Sequence, residues 1–163
     1  MKNKTDFPIS NIDTIKRCEF KEVVDVWEAS VRATHHFLKE EDIEYFKPLI
    51  LNTYLDAVKL RCIRTSDNKI AGFMGVVKNN LEMLFVHPNY IGKGIGKTLI
   101  MYAVEHMKVS RVDVNQQNEK AIGFYKNYGF YVIRRSEFDA SGKPYPILHM
   151  ALKIKNYPQQ QQL

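Results

Sequence analysis

Two periods of apolar residues alternate along this chain, and their order predicts its elements. Ile12 to Lys16 alternates apolar with polar and predicts a first strand. Phe20, Val23, Val24, Trp27 and Val31 then recur at i, i+3, i+4, i+7 and i+11, one face of a helix. A second helical stretch is expected from about Glu40 to Ala57, broken or kinked at Pro48. Lys59 to Arg64 and Lys69 to Val77 read as a hairpin around Asp67-Asn68. The second of these strands is apolar or small on both faces, with Ile70, Met74 and Val76 on one and Ala71, Phe73 and Val77 on the other, which predicts a central strand. Leu81 to Val86 is another strand, ending at His87-Pro88. Ile95, Leu99, Tyr102, Ala103 and His106 mark a helix, Val112 and Val114 a short strand, and Ala121, Phe124, Tyr125 and Tyr128 a further helix closed by Gly129. Two last strands, near Phe130–Phe138 and Tyr145–Lys153, flank a turn at Ser141-Gly142-Lys143-Pro144. The sum is an α/β chain, a mixed sheet with helices on its faces.

With 163 residues and 45% hydrophobic content, one compact domain with its own core is expected over residues 1–155. The ends, residues 1–10 and the Gln-rich 156–163, offer little to bury and are expected to be loose, the tail disordered. No apolar run approaches the ~20 residues of a membrane helix, and Met1 to Asp6 has no apolar stretch behind it, so a cytoplasmic protein without membrane contact is expected. Cys18 and Cys62 form no metal-ligand pattern and are expected to be two buried, reduced thiols; no metal is expected. The net charge of +6 raises nucleic acid as a partner, but Lys and Arg are scattered, without the clustered cations and interleaved aromatics of such a surface. An anionic small molecule suits the same balance.

Three segments carry candidate chemistry. Tyr90-Ile91-Gly92-Lys93-Gly94-Ile95-Gly96-Lys97-Thr98 follows a strand and opens a helix. Glycines there let backbone N–H groups approach an anion at a helix N-terminus, so the loop fits either a pyrophosphate site or a simple glycine turn. It lacks the P-loop spacing, which requires a glycine at Ile91, and it lacks the Rossmann order. Glu82 stands among Leu81, Met83, Leu84, Phe85 and Val86, where a carboxylate is either turned to solvent or held as a general base. In Asn118 to Phe130 the aromatics fit a core face of a short helix, with Tyr125 either a core residue or a proton donor. His35 and His36 close the first long helix near the negative end of its dipole. His36, His87 and His149 read as solvent-facing or structural.

The glycine loop and the later aromatic segment, in this order and spacing, resemble the GNAT superfamily of N-acyltransferases. The likeness covers about residues 10–154. Gly94-Ile95-Gly96 match the second half of its cofactor signature, [RQ]-x-x-G-x-[GA]; Ile91 departs from it, standing where Arg or Gln is usual. The motif N-x-x-A-x-x-F-Y-x-x-x-G-F is met by Asn118, Ala121, Phe124, Tyr125, Gly129 and Phe130. Ala33-Thr34-His35 with Phe37-Leu38, Phe73-Met74 and Gly142 to Pro146 are similar, more narrowly, to the small bacterial YjaB-type acetyltransferases.

The resemblance implies a GNAT fold, a mixed, mostly antiparallel sheet of about seven strands with about four helices. It implies transfer of an acetyl group from acetyl-CoA to a primary amine by direct attack in a ternary complex. The fourth strand would splay from the fifth, and Leu84, Phe85 and Val86 would offer backbone groups to the pantetheine arm. The loop from Ile91 and Gly92 through Lys93, Gly94, Ile95, Gly96, Lys97 and Thr98 would hold the pyrophosphate, with weakened binding at Ile91. Asn118 and Phe124 would contact the cofactor. Glu82 would be the base, a backbone N–H near Val86 would hold the oxyanion, and Tyr125 would protonate the leaving thiolate. His35 and Tyr145 would line the acceptor pocket, His35 alternatively serving as a second base. The acceptor itself, a small molecule or a protein amine, is left open, as is monomer or homodimer. The rival on the same fold is a non-catalytic acyl-CoA-binding sensor.

Overall fold

The computed structural model describes residues 7–154, and the chain divides into two compact units, Met1–Asp113 and Val114–Leu163. The expected loose tail at 156–163 lies outside the described residues, as do residues 1–6.

The first unit carries β1 (Ile12–Asp13), α1 (Phe20–Thr34), α2 (Glu40–Leu49), α3 (Leu55–Ala57), β2 (Lys59–Arg64), β3 (Ile70–Val77), β4 (Asn80–Val86), α4 (Ile95–His106) and the start of β5 (Arg111–Asn115). The strands neighbour one another in chain order. Pairings β1–β2, β2–β3 and β3–β4 are antiparallel, and β4–β5 is parallel. β3 is buried along almost its whole length, as its two apolar faces predict. A register shift lies opposite its start, between Ile63 and Arg64, and Ile70 joins the cluster of Phe73 rather than lying across the sheet from it.

Val23, Val24, Trp27 and Val31 of α1 are buried with Leu60, Cys62 and Phe73 of the sheet. Each such side chain contributes roughly 1.5–3 kcal/mol of burial. On the other face Gly72 meets α4: a Cβ added there would stand 2.8 Å from Ile95 Cγ2. Because side chains alternate across a strand, Gly72 and Phe73 place α4 and α1 on opposite sides of β3.

Pro48 kinks rather than ends the second helical stretch. It lacks an N–H, so the ladder is short of one bond, and the chain continues through a π-helical turn at Ile50–Tyr54 into α3. The first strand is shorter than its alternation suggests. The Thr14 carbonyl accepts from the Arg64 guanidinium at 3.0 Å, and the Thr14 N–H donates to Asp13 Oδ1 at 2.8 Å, so side chains replace the ladder there. Two expectations are corrected. Cys62 is buried, but Cys18 is exposed. Residues 7–10 are not loose: the Phe7 carbonyl accepts the Thr98 hydroxyl at 2.8 Å, and a 3-10 turn follows at Ile9–Asn11.

The second unit carries α5 (Glu119–Asn127), β6 (Phe130–Ser136) and β7 (Ile147–Leu152). β6 and β7 pair antiparallel from Phe130↔Leu152 to Ser136↔Ile147. The expected turn is fixed by Asp139, whose Oδ1 accepts the N–H groups of Ser141 and Lys143, both at 2.9 Å. Both strands stop short of that turn, which accounts for the difference from the expected ends. α5 closes where Gly129 takes φ +91°.

Candidate active site

The fourth strand is irregular at one residue. Gly75 pairs with Met83 and Val76 with Leu81, so Glu82 is the extra residue of a β-bulge. A bulge re-aims the side chain it carries. Glu82 is exposed, and its Oε1 accepts the Asn80 side-chain amide at 2.7 Å. Glu82 therefore escapes the burial its apolar neighbours suggest, and Asn80, which sequence inspection passed over, holds its carboxylate.

The strand also offers backbone. Its parallel register with β5 holds at Asn80↔Arg111 and Leu81↔Val112 and covers no later residue of β4. The His87 N–H donates to the Ala71 carbonyl opposite it at 2.8 Å, which sets the antiparallel alternation. By that alternation Met83 and Phe85 turn their backbone groups to β3, and Leu84 and Val86 turn theirs to the open edge. The expectation that Phe85 offers its backbone there is corrected accordingly. Its side chain has another place, against Phe73 at 5.7 Å and His35 at 6.2 Å between ring centroids.

The glycine loop lies between β4 and α4. Gly94 is the N-cap of α4 with φ +83°, a left-handed conformation that the absence of a Cβ permits. The first bond of the helical ladder runs from the Thr98 N–H to the Gly94 carbonyl at 3.0 Å, so the N–H groups of Ile95, Gly96 and Lys97 stand ahead of it at the positive end of the helix dipole. Gly92 also has positive φ, +80°. Lys93 Nζ lies 5.2 Å from the centroid of the Tyr90 ring. Ile91 is 54% exposed, an apolar side chain in water. Ile95 packs inward while its N–H remains at the helix start. Thr98 differs from the rest: it is buried, its N–H is in the helix ladder, and its hydroxyl contacts the carbonyls of Phe7 and Gly94 at 2.8 and 3.0 Å. Both its donors are engaged within the fold, which removes it from the anion-binding set.

His35 follows the last residue of α1, and its N–H donates to the Val31 carbonyl at 2.7 Å. Its ring lies against Phe37 at 5.3 Å as well as Phe85. Burial, with a smaller effect of the neighbouring His36, pushes its pKa down to about 4. The imidazole is thus neutral at neutral pH, and attraction of a cation to the helix dipole is not what keeps a histidine here.

In the second unit Asn118 is the N-cap of α5, its Oδ1 accepting the Ala121 N–H at 3.1 Å. This structural duty underlies the first residue of the aromatic motif. Phe124 is half-buried and stands edge-on to Tyr125 at 5.2 Å. Tyr125 is only 6% exposed, and its ring also packs on Phe130 at 5.9 Å. Burial pushes its phenol pKa well up. Among the described residues no hydrogen bond is made by the Tyr125 hydroxyl, yet no side-chain N or O atom is shut away without a partner. The ring is therefore enclosed, and its oxygen is nearly but not wholly shut off from solvent. Tyr145 is buried in this unit. Among the described residues no group of three or more His, Cys, Asp or Glu is arranged to hold a metal ion, and no helix is long and apolar enough to cross a membrane.

Residues 34–154 match the family described as the acetyltransferase (GNAT) domain. The chain belongs to this family, has its fold and is an N-acetyltransferase. It is 38% identical over 133 residues to the peptidyl-lysine N-acetyltransferase YjaB of Escherichia coli strain K12, covering 82% of this chain and 90% of that protein. The Salmonella typhimurium protein of the same name is 36% identical over 140 residues, covering 86% of this chain and 96% of that one. The solution structure of apo YjaB from E. coli superposes with a TM-score of 0.77 at 36% identity, over 86% of this chain and 95% of that one. The PaiA N-acetyltransferase of Thermoplasma acidophilum, solved in complex with coenzyme A, shares the fold at a TM-score of 0.66 and 24% identity, covering 88% and 98% of the two chains.

Proposed function

We propose that the chain transfers the acetyl group of acetyl-CoA to the side-chain amine of a protein lysine, by direct attack within a ternary complex. The observation that carries the acyl donor is the open edge of β4, where Leu84 and Val86 turn N–H and C=O groups outward past the last pair with β5. The lysine acceptor rests on the likeness to the two YjaB relatives, whose names describe that activity.

The residues divide the work as follows. Leu84 and Val86 hydrogen-bond the pantetheine arm as a neighbouring strand would. The N–H groups of Gly92 to Lys97 and the α4 N-terminus receive the pyrophosphate, with Lys93 and Lys97 adding positive charge. Ile91 contributes no polar contact. On the family resemblance, Asn118 and Phe124 are taken as cofactor contacts, and His35 and Tyr145 as acceptor contacts. The neutral amine attacks the thioester carbonyl carbon. A C–N bond forms, and the Val86 N–H faces the oxygen that gains the charge. Glu82 takes the amine proton, directly or through water. When the C–S bond breaks, Tyr125 gives its proton to the thiolate. Its raised pKa keeps that proton in place across the neutral range. We take residues 1–155 as one catalytic domain, of which residues 34–154 match the family. We place the reaction in the cytoplasm, carried out by a monomer or homodimer.

The test is turnover of acetyl-CoA with lysine-containing peptides beside free polyamines, amino acids and aminoglycosides, read by thiol release and by mass spectrometry of the peptide. Acetylated peptide lysine supports the proposal. Acetylation of small amines alone overturns the acceptor, and coenzyme A binding without turnover of any amine establishes the sensor instead.

A further inference from the structure

The turn between β4 and α4 carries three donor side chains that the acyl-transfer steps do not use. The Asn89 N–H donates to His87 Nδ1 at 3.2 Å. A backbone N–H only donates, so Nδ1 holds a lone pair and the neutral ring carries its proton on Nε2. The His87 ring lies 5.7 Å from the Tyr90 ring, and Lys93 Nζ stands 5.2 Å from the centroid of that same Tyr90 ring. Tyr90 therefore joins an imidazole N–H and an ammonium. Among the described residues, His87 Nε2, the Tyr90 hydroxyl and Lys93 Nζ make no hydrogen bond or ion pair, and none of these atoms is shut away from solvent. No Asp or Glu occurs between Glu82 and Glu105, so the segment brings no carboxylate of its own to the ammonium.

We propose that His87, Tyr90 and Lys93 form a phosphomonoester site, which takes the 3′-phosphate of acetyl-CoA and so selects it over the dephosphorylated cofactor. This rests on acetyl-CoA being the acyl donor, as proposed above. Three donors and one full positive charge suit an anion, and a phosphomonoester supplies about −1.5 to −2 charges near neutral pH with three acceptor oxygens. Hydrogen bonds to such an anion are stronger than those between neutral groups. In coenzyme A this phosphate stands one ribose away from the pyrophosphate. Lys93 likewise belongs to the loop assigned to the pyrophosphate, between Gly92 and Gly94, whose φ values of +80° and +83° turn the chain on either side of it. In that assignment backbone N–H groups meet the pyrophosphate, and side chains remain for the second phosphate.

The test is equilibrium binding of coenzyme A and of 3′-dephospho-coenzyme A to the whole protein, read by calorimetry. The wild type should bind coenzyme A about tenfold or more tightly than the dephospho form. That preference should shrink as salt rises, because Lys93 is exposed. Lys93→Met should weaken coenzyme A about tenfold and the dephospho form by no more than about twofold, which abolishes the preference; Lys93→Arg should retain it. Tyr90→Phe, and His87→Phe, which keeps a ring beside Tyr90 and removes the Nε2 donor, should each cost about threefold for coenzyme A alone. Equal affinity of the wild type for the two ligands overturns the proposal and leaves the acyl-donor reading standing. An equal loss for both ligands in Lys93→Met also overturns it and gives Lys93 to the pyrophosphate. Binding of neither ligand overturns both readings. A preference that Lys93→Met abolishes, in a protein that acetylates no amine, supports this site and fails only the proposed transfer.

Discussion

Asn80 donates its side-chain amide to Glu82 at 2.7 Å, across the point where β4 carries one residue more than β3 can pair. The amide holds one carboxylate oxygen of a side chain that the bulge leaves exposed. As a general base Glu82 should contribute about 10²–10⁴-fold in kcat. Glu82→Gln should lose that factor with the acetyl-CoA Kd unchanged. Asn80→Ala should lower kcat by a smaller factor in the wild type and have no further effect in the Glu82→Gln background, because the two act through one carboxylate. Rates within a few-fold of wild type for Glu82→Gln at every pH would return the base role to water.

The proposed anion site depends on Gly94, whose φ of +83° a β-branched residue adopts only with strain of about 1–2 kcal/mol. Gly94→Val should therefore move the first N–H groups of α4 off their target. Free acetyl-CoA at about 100 Kd should stabilise the wild-type protein by about 2.7 kcal/mol, a gain the variant should lack. A thermal midpoint that rises equally in both proteins would show that the loop does not bind the pyrophosphate.

Much of this was legible in the residues, and the exceptions have common causes. Helices α1 and α4 and the β2–β3 hairpin follow from local periodicity, which needs no partner to be read. The bulge at Glu82 does not, because a strand's register is a relation to its neighbour, and Glu82 looks like any alternating position until Gly75 and Val76 are placed opposite. Thr98 was drawn into the anion site by its place after Gly96-Lys97, but its direction is set by Phe7, 91 residues earlier. His35 was read through the helix dipole; its neutrality comes from the rings and sheet it is buried against, which a linear sequence does not bring together. Tyr125 stands out by its motif, but the enclosure of its ring, with a hydroxyl that bonds no described residue, is a tertiary feature.

The neutral, half-buried His35 makes stability depend on pH in a defined window. Its pKa falls from 6.5 to about 4 on folding, so between those values the unfolded chain binds the extra proton. Stability is fully present above about pH 6.5 and is lost as pH falls toward 4. Asp13 and Glu19, whose pKa values Arg64 holds below the usual carboxylate range by hydrogen bonding, lose their contribution only at lower pH. Chemical denaturation at pH 7, 5.5 and 4.2 should show the wild type losing on the order of 2 kcal/mol more than His35→Gln across that range, allowing for solvent at the half-buried ring. Parallel losses in the two proteins would mean that His35 is charged in the folded state.

Tyr125 offers a cleaner separation of structure from chemistry than most buried tyrosines. Its ring is held by Phe124 and Phe130, and its hydroxyl bonds no described residue. Tyr125→Phe keeps the ring and both edge-on contacts and deletes an oxygen that supports no part of the fold. The usual loss of about 0.5–1.5 kcal/mol for a missing hydrogen bond should therefore not appear, and the melting temperature should stay near wild type. A catalytic acid would nonetheless be gone, and kcat should fall about tenfold or more while the acetyl-CoA Kd holds. The drop should be smaller with an acetyl thioester whose thiol is more acidic, because a better leaving group depends less on a donated proton. A wild-type kcat in Tyr125→Phe, or an equal drop with every thioester, would take the acid role from Tyr125 and leave thiolate protonation to water.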